Sequence, residues 1–105
     1  MNLSEFNEKT YQPENDYPMK PQIICNDGFK MSVQGSRTHY STPRANMDFY
    51  SNMGIGFPTE KVDYFLEYAE DENNPTDTVY GYVPVNLIQK CIDDHQGINV
   101  ELTFA

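Results

Sequence analysis

The stretch Ile23–Arg44, IICNDGFKMSVQGSRTHYSTPR, constrains the fold more than any other part of the chain. Phe29, Met31 and Val33 alternate with Lys30, Ser32 and Gln34, the period of two that a strand shows when one face is buried. Ile23 and Ile24 form a short apolar run before them, and Asn26-Asp27-Gly28 lies between the two runs. Asp-Gly suits a type I′ turn, whose central residues both take positive φ, so the stretch predicts a tight β-hairpin. After Gly35 the alternation stops. Ser36 to Arg44 has no apolar period, is rich in hydroxyls and holds both arginines of the chain, Arg37 and Arg44.

The remaining elements follow from the same reasoning. Met53, Ile55 and Phe57 alternate with Gly54 and Gly56 and predict a third strand, its glycines marking a bulge or a close backbone approach. In Glu60 to Ala69, Val62, Phe65, Leu66 and Ala69 fall at i, i+3, i+4 and i+7, with Thr59 placed to cap, which predicts an amphipathic helix. Thr78 to Val83 predicts a strand with Val79, Gly81 and Val83 on one face and Tyr80 and Tyr82 on the other. Pro84 opens a second helix that carries Ile88, Cys91, Ile92 and His95 on one side and ends near Gly97. Ile98, Val100, Leu102 and Phe104 alternate as a last strand. The predicted order is β-β-β-α-β-α-β, an α+β fold in which two helices pack on a mainly antiparallel sheet. Residues 22–105 form this single small domain. Residues 1–21, polar and interrupted by Pro13, Pro18 and Pro21, are expected to be a flexible arm or one draped over the domain.

Charge separates the two halves of the chain. Residues 1–44 carry five cations (Lys9, Lys20, Lys30, Arg37, Arg44) and five carboxylates (Glu5, Glu8, Glu14, Asp16, Asp27), which cancel. Residues 45–105 carry Lys61 and Lys90 against eleven carboxylates, so the whole net charge of -9 lies there. Such a surface repels nucleic acid and membranes and favours basic partners, or simply keeps a small protein soluble. Two cysteines, Cys25 and Cys91, are too few for a disulfide framework. No apolar stretch nears the roughly 20 residues of a membrane span, and no leader pattern opens the chain. The expectation is a cytoplasmic protein with reduced thiols, no membrane association and no cofactor.

Five pieces of the sequence, CNDGFKMSVQ, HYSTPR, GIGFPTEK, YAEDENNPTDTVYGYVPV and HQGI, together resemble a family of small uncharacterised proteins from bacteriophages and bacterial mobile elements. The resemblance covers roughly residues 23–98. It implies an accessory role in a bacterial host cell, with no activity or catalytic residue attached. By analogy of source and size, such proteins often act against host defence or transcription, as anti-CRISPR proteins do.

Four constellations bear on chemistry. Arg37, His39, Tyr40 and Arg44 offer two guanidinium forks among hydroxyls, suited to a phosphate or carboxylate, unless each arginine pairs with a carboxylate from the acidic half. Glu60, Asp63, Glu67 and Glu70, extended by Asp71 and Glu72 and flanked by Tyr64 and Tyr68, would form a carboxylate stripe that imitates a nucleic-acid backbone. With Tyr80 and Tyr82 it makes a candidate surface for a basic host protein; direct nucleic-acid binding is disfavoured by charge. Cys91 and His95 sit one helical turn apart, but without a CxxC or HxxxH pair they read as a core thiol and a helix-end histidine, and no metal site is assigned. A nucleophile served by His39 and Asp48 has no local motif, so an enzyme is the less favoured class. The sequence therefore points to a protein that acts by binding a host protein, with a small anion- or nucleotide-binding protein or enzyme using the Arg37–Arg44 loop as the alternative.

Overall fold

A computed structural model describes residues 1–105. The elements in order are α1 (Leu3–Lys9), β1 (Ile23–Ile24), β2 (Lys30–Gln34), β3 (Asn52–Gly56), a 3-10 helix (Asp63–Tyr68), β4 (Val79–Pro84), α2 (Val85–Asp94) and α3 (Val100–Thr103). The four strands form one antiparallel sheet in the order β1-β2-β3-β4. The fold is α+β, as the sequence pattern predicts. No helix is long and apolar enough to cross a membrane.

The hairpin forms at the expected residues but not on a type I′ turn: of Asp27 and Gly28 only Gly28 takes a positive φ, and the turn closes by Gly28 N–H donating to Cys25 O at 3.0 Å. Ile23 pairs with Met31 and Ile24 with Lys30, Gly28 takes φ +95°, and the Asp27 carboxylate accepts the Phe29 N–H at 3.0 Å. Phe29, Met31 and Val33 all enter the core. On β4 the simple alternation fails for a specific reason. Between the pairs Ile55–Tyr80 and Met53–Val83, the single residue Gly54 faces two, Gly81 and Tyr82. This one-residue bulge, with Tyr82 at φ +55°, turns Tyr80 and Val83 to the same side. Tyr80 is thus fully buried, its hydroxyl donating to the Pro75 carbonyl, and it is not the surface residue the period predicted.

Three further expectations are corrected. Of the two alternatives for residues 1–21 the structure shows the draped one and not the flexible one: Asn2 and Glu5 form a capping box, and Leu3 and Phe6 are buried members of the core. The Leu3 N–H donates to Gln89 Oε1 at 2.8 Å, which fastens α1 to α2. The predicted helix at Glu60–Ala69 is a short 3-10 helix, because its intended cap is used elsewhere. Thr59 bonds β2 both ways, its hydroxyl accepting from Lys30 N at 3.0 Å and its N–H donating to Lys30 O at 2.9 Å. Val62 then starts the turn with no side-chain cap. Finally, Ile98 makes one bridge to Cys25, after which Asn99 caps α3 by accepting from Leu102 N. The last strand is therefore a helix, with Val100 and Leu102 exposed and Phe104 folded back on Phe6 at 5.9 Å. The observed order starts and ends on helices, but the helices still cover one face of the sheet and leave the other partly open.

Candidate functional site

The open face is small because of what the strands place there. Where Met31, Val33, Met53 and Ile55 turn to the core, the alternate positions are Ser32, Gln34, Gly54 and Gly56. A groove of about 300 Å³ runs over them, bounded by Val79 of β4, by Thr38, His39 and Tyr40, and by Met19 and Phe57. Gly54 and Gly81 admit the Tyr40 segment closely: a Cβ on Gly81 would stand 3.5 Å from Tyr40 Cβ, and Tyr82 N–H donates to Tyr40 O at 3.0 Å. Gln34, itself buried, exchanges hydrogen bonds with the Lys20 backbone at 2.8 and 2.9 Å, which holds the Met19–Lys20 segment against the sheet.

The groove is rimmed by large side chains in the open. Met19, Phe57, Tyr40 and the adjoining Tyr82 are between 44% and 62% exposed, with the Tyr40 and Tyr82 rings 5.9 Å apart. Phe57 and Tyr82 also hold φ of +50° and +55°, a left-handed backbone that costs a bulky residue on the order of 1–3 kcal/mol. Phe57 is kept there by its N–H bond to Thr78 O at 3.1 Å.

The Ser36–Arg44 loop is built by its own hydroxyls. Ser41 Oγ donates to Pro43 O at 3.0 Å and accepts from Ser36 N at 3.2 Å, and Ser36 Oγ accepts from Thr38 N at 3.0 Å. Ser36 Oγ is also 2.6 Å from His39 Nδ1. Burial, and then the charges of Lys20 and Arg44, pull the His39 pKa below its ordinary value, so the ring is neutral near pH 7. The pair is not a nucleophile and base, since Ser36 is fully buried.

The four residues of the candidate anion site separate. Arg37 is drawn away to Asp16, bonding its carboxylate at 2.8 Å and its carbonyl at 3.0 Å. That partner lies in the N-terminal segment, not in the acidic half, and an exposed pair of this kind contributes at most about 1 kcal/mol. Arg44 has no carboxylate; its guanidinium lies over the Tyr40 ring at 5.4 Å. His39, Tyr40 and Arg44 therefore stay together at one end of the groove without Arg37.

The acidic segment is exposed but loses its regular stripe. A 3-10 helix turns about 120° per residue, so Asp63 and Glu67 do not stack as they would on an α-helix. Glu60 lies 3.5 Å from His95 Nε2, Asp63 lies 3.6 Å from Lys61, and Asp71 accepts from the Asn73 and Asn74 nitrogens. Glu67, Glu70 and Glu72 are exposed without a cation partner. Tyr64 and Tyr68 are half-buried against the core, and the Tyr64 hydroxyl donates to Asp94 at 2.9 Å. Of the tyrosines first grouped with this segment, Tyr82 stands instead beside Tyr40 at the groove.

The thiols and the second histidine are accounted for structurally. Burial first, then Asp27, raises the Cys25 pKa to about 11, and burial raises Cys91 to about 12, so both remain unreactive thiols. His95 stacks on Phe29 at 4.0 Å and bonds Asp27 at 2.7 Å. No three His, Cys, Asp or Glu side chains gather as metal ligands. Comparison with protein-family models, with curated proteins and with solved structures finds no match for the chain. What sequence reading missed was the groove itself. Its signal was present in the small outward residues Ser32, Gln34, Gly54 and Gly56.

Proposed function

We propose that this chain is an accessory protein of a phage or mobile element and that it acts by binding a basic protein of the bacterial host. The open sheet face is the centre of that contact and the segment from Glu60 to Asp77 its charged flank. The observation that supports this reading is the ring of exposed Met19, Tyr40, Phe57 and Tyr82 around a glycine- and serine-floored groove. Aromatic, methionine and arginine side chains are the types that interface centres favour, and exposed apolar groups gathered in one place mark interaction sites. Unpaired Glu67, Glu70 and Glu72 add long-range attraction for a basic partner and accelerate encounter more than they hold the complex.

The test compares capture of a host partner by wild type, Tyr40→Ala/Phe57→Ala and Glu67→Lys/Glu70→Lys, with the contact mapped by hydrogen exchange. The groove variant is expected to lose the partner at all salt concentrations. The charge variant is expected to slow association and to flatten its salt dependence. A partner that the groove variant holds as tightly as wild type refutes the reading.

One observation favours a second reading. Arg44 lacks a carboxylate and lies over the Tyr40 ring, close enough to His39 for its charge to be felt there, at the groove's polar end. A planar anion such as a nucleotide fits that end. Saturable binding of a nucleoside monophosphate that Arg44→Ala abolishes would select this reading over the protein partner.

A further inference from the structure

A small cavity lies between the N-terminal segment and the end of β2. Its volume is about 10 Å³, room for one particle the size of a water molecule. Thr10, Pro18 and Lys20 line it from the N-terminal segment, Gly35 from the end of β2, and Asn46 and Tyr50 from the loop before β3. Lys20 lines this cavity and neither of the two larger ones. The residue is 7% exposed, and its Nζ has one hydrogen-bond partner, Thr10 Oγ1 at 2.7 Å. No carboxylate comes within ion-pair distance of it. An ammonium carries three donors, so two remain unused. The Gly35 N–H is another, since Gly35 is buried and no acceptor in the chain takes its hydrogen.

The other polar side chains of the wall are already engaged. Thr10 Oγ1 donates to Phe6 O at 2.7 Å, and Gln12 Nε2 donates to Met19 O at 2.9 Å. Asn46 Nδ2 donates to Asn15 O at 3.0 Å while its Oδ1 accepts from Arg37 N at 3.2 Å. The Tyr50 hydroxyl accepts from Met47 N at 2.9 Å and donates to Ala45 O at 2.8 Å. What is left over is a buried positive charge without a counter-charge and donors without an acceptor, beside a space of one particle. An ion taken from water in this way destabilises the folded chain unless a partner of opposite charge meets it.

The geometry points to this cavity as the site of one small monatomic anion, of the chloride type, held by the Lys20 ammonium and the Gly35 N–H. Such an ion accepts hydrogen bonds from every direction and supplies the negative charge that the chain does not. A water molecule brings no charge, and a phosphate, carboxylate or nucleotide is too large for the space. The cavity shares no residue with the groove, so the site stands independently of the protein contact proposed there.

The experiment is urea unfolding of the intact protein at pH 7 and constant ionic strength, with chloride replacing methanesulfonate, an anion too large for the cavity. The folding constant of wild type is expected to rise in proportion to 1 + [Cl⁻]/Kd, about tenfold for each tenfold of chloride above Kd. Lys20→Met, which keeps the stem without the charge, should show no such dependence. Wild type alone gives the direct reading: crystals soaked in bromide should show an anomalous-scattering peak in contact with Lys20 Nζ and Gly35 N. Equal stability of wild type in the two anions overturns the proposal. So does a chloride dependence that Lys20→Met retains, or a cavity without the bromide peak, which assigns the space to water.

Discussion

Lys20 is the sharpest electrostatic feature of the chain, and its removal should stabilise the protein in a pH-dependent way. The side chain is 7% exposed, its Nζ donates to Thr10 Oγ1 at 2.7 Å and lies 5.9 Å from the Phe6 ring, and no carboxylate pairs with it. Burial pulls its pKa from 10.5 down to about 8. Below pH 8 the ammonium is charged in both states, so folding carries the full cost of burying it. Between pH 8 and 10.5 the unfolded chain binds a proton that the folded chain has released, and stability rises with pH. At about 1.4 kcal/mol for each tenfold in proton affinity, the cost below pH 8 is about 3 kcal/mol. Lys20→Met keeps the stem, removes the charge and forfeits one hydrogen bond of about 1 kcal/mol. The variant should therefore be about 2 kcal/mol more stable than wild type at pH 6 to 7, and that advantage should disappear as the pH passes 10. Urea unfolding of both proteins at each pH measures it. The thiols Cys25 and Cys91, whose folded pKa values lie above their unfolded ones, lower stability above pH 9 in both proteins and cancel in the difference. A difference that is flat with pH, or a variant less stable at pH 7, would refute the reasoning.

Other perturbations follow from single contacts. Phe6→Ala should cost about 3–5 kcal/mol in urea unfolding, since Phe6 is fully buried and contacts Phe104; a loss under 1 kcal/mol would return α1 to the status of a loose arm. A Cβ on Gly35 would stand 2.8 Å from the Tyr50 ring, which hydrogen bonds hold in place, so Gly35→Ala should destabilise by about 1–3 kcal/mol. The Phe29 N–H bond and then His95 hold the Asp27 carboxyl below the usual carboxylate range. Its contribution is complete above the ordinary carboxylate pKa and is lost as pH falls through the lowered one, so wild type should lose more stability than Asp27→Asn on acidification toward pH 2. Equal acid sensitivity in the two proteins would count against that assignment.

What the sequence disclosed was local, and what it withheld was decided by distant partners. The hairpin was legible because the Asp-Gly turn and the alternation of Phe29, Met31 and Val33 agree. The capping box of α1 was also present, as Asn2 followed by Glu5, but two buried apolar residues in seven, Leu3 and Phe6, make no period to read. Val62 and Phe65 fit a 3-10 turn as well as an α-helix, and the choice rested on Thr59 bonding β2, a pairing 29 residues away. In the same way Arg37 finds Asp16, 21 residues earlier, and leaves the candidate anion site. The run from Ile98 to Phe104 carries both an alternating pattern and the Asn99 cap, and with one bridge to Cys25 to extend from, the cap prevails. Tyr80 was misplaced by a single inserted residue, because a shift of one exchanges the faces of a strand.

That insertion links the fold to the proposed function. By placing two residues of β4 opposite Gly54, the bulge turns Tyr80 into the core against Phe65 and leaves Tyr82 alone outside, beside Tyr40. The core gains a large buried ring, and the open face gains an exposed one on a strained backbone. Phe57, just past the end of β3, repeats the arrangement, with a left-handed backbone and an outward ring. Neither exposed ring recovers within the monomer what its backbone costs. On the proposed reading a contact surface supplies the missing compensation, because a ring already held outward by its backbone loses little freedom when a partner covers it. The same two residues that weaken the isolated chain, Tyr82 and Phe57, are on this reading those best prepared to bind, and Tyr40, whose ring stands 5.9 Å from that of Tyr82, completes the surface that the groove variant disrupts.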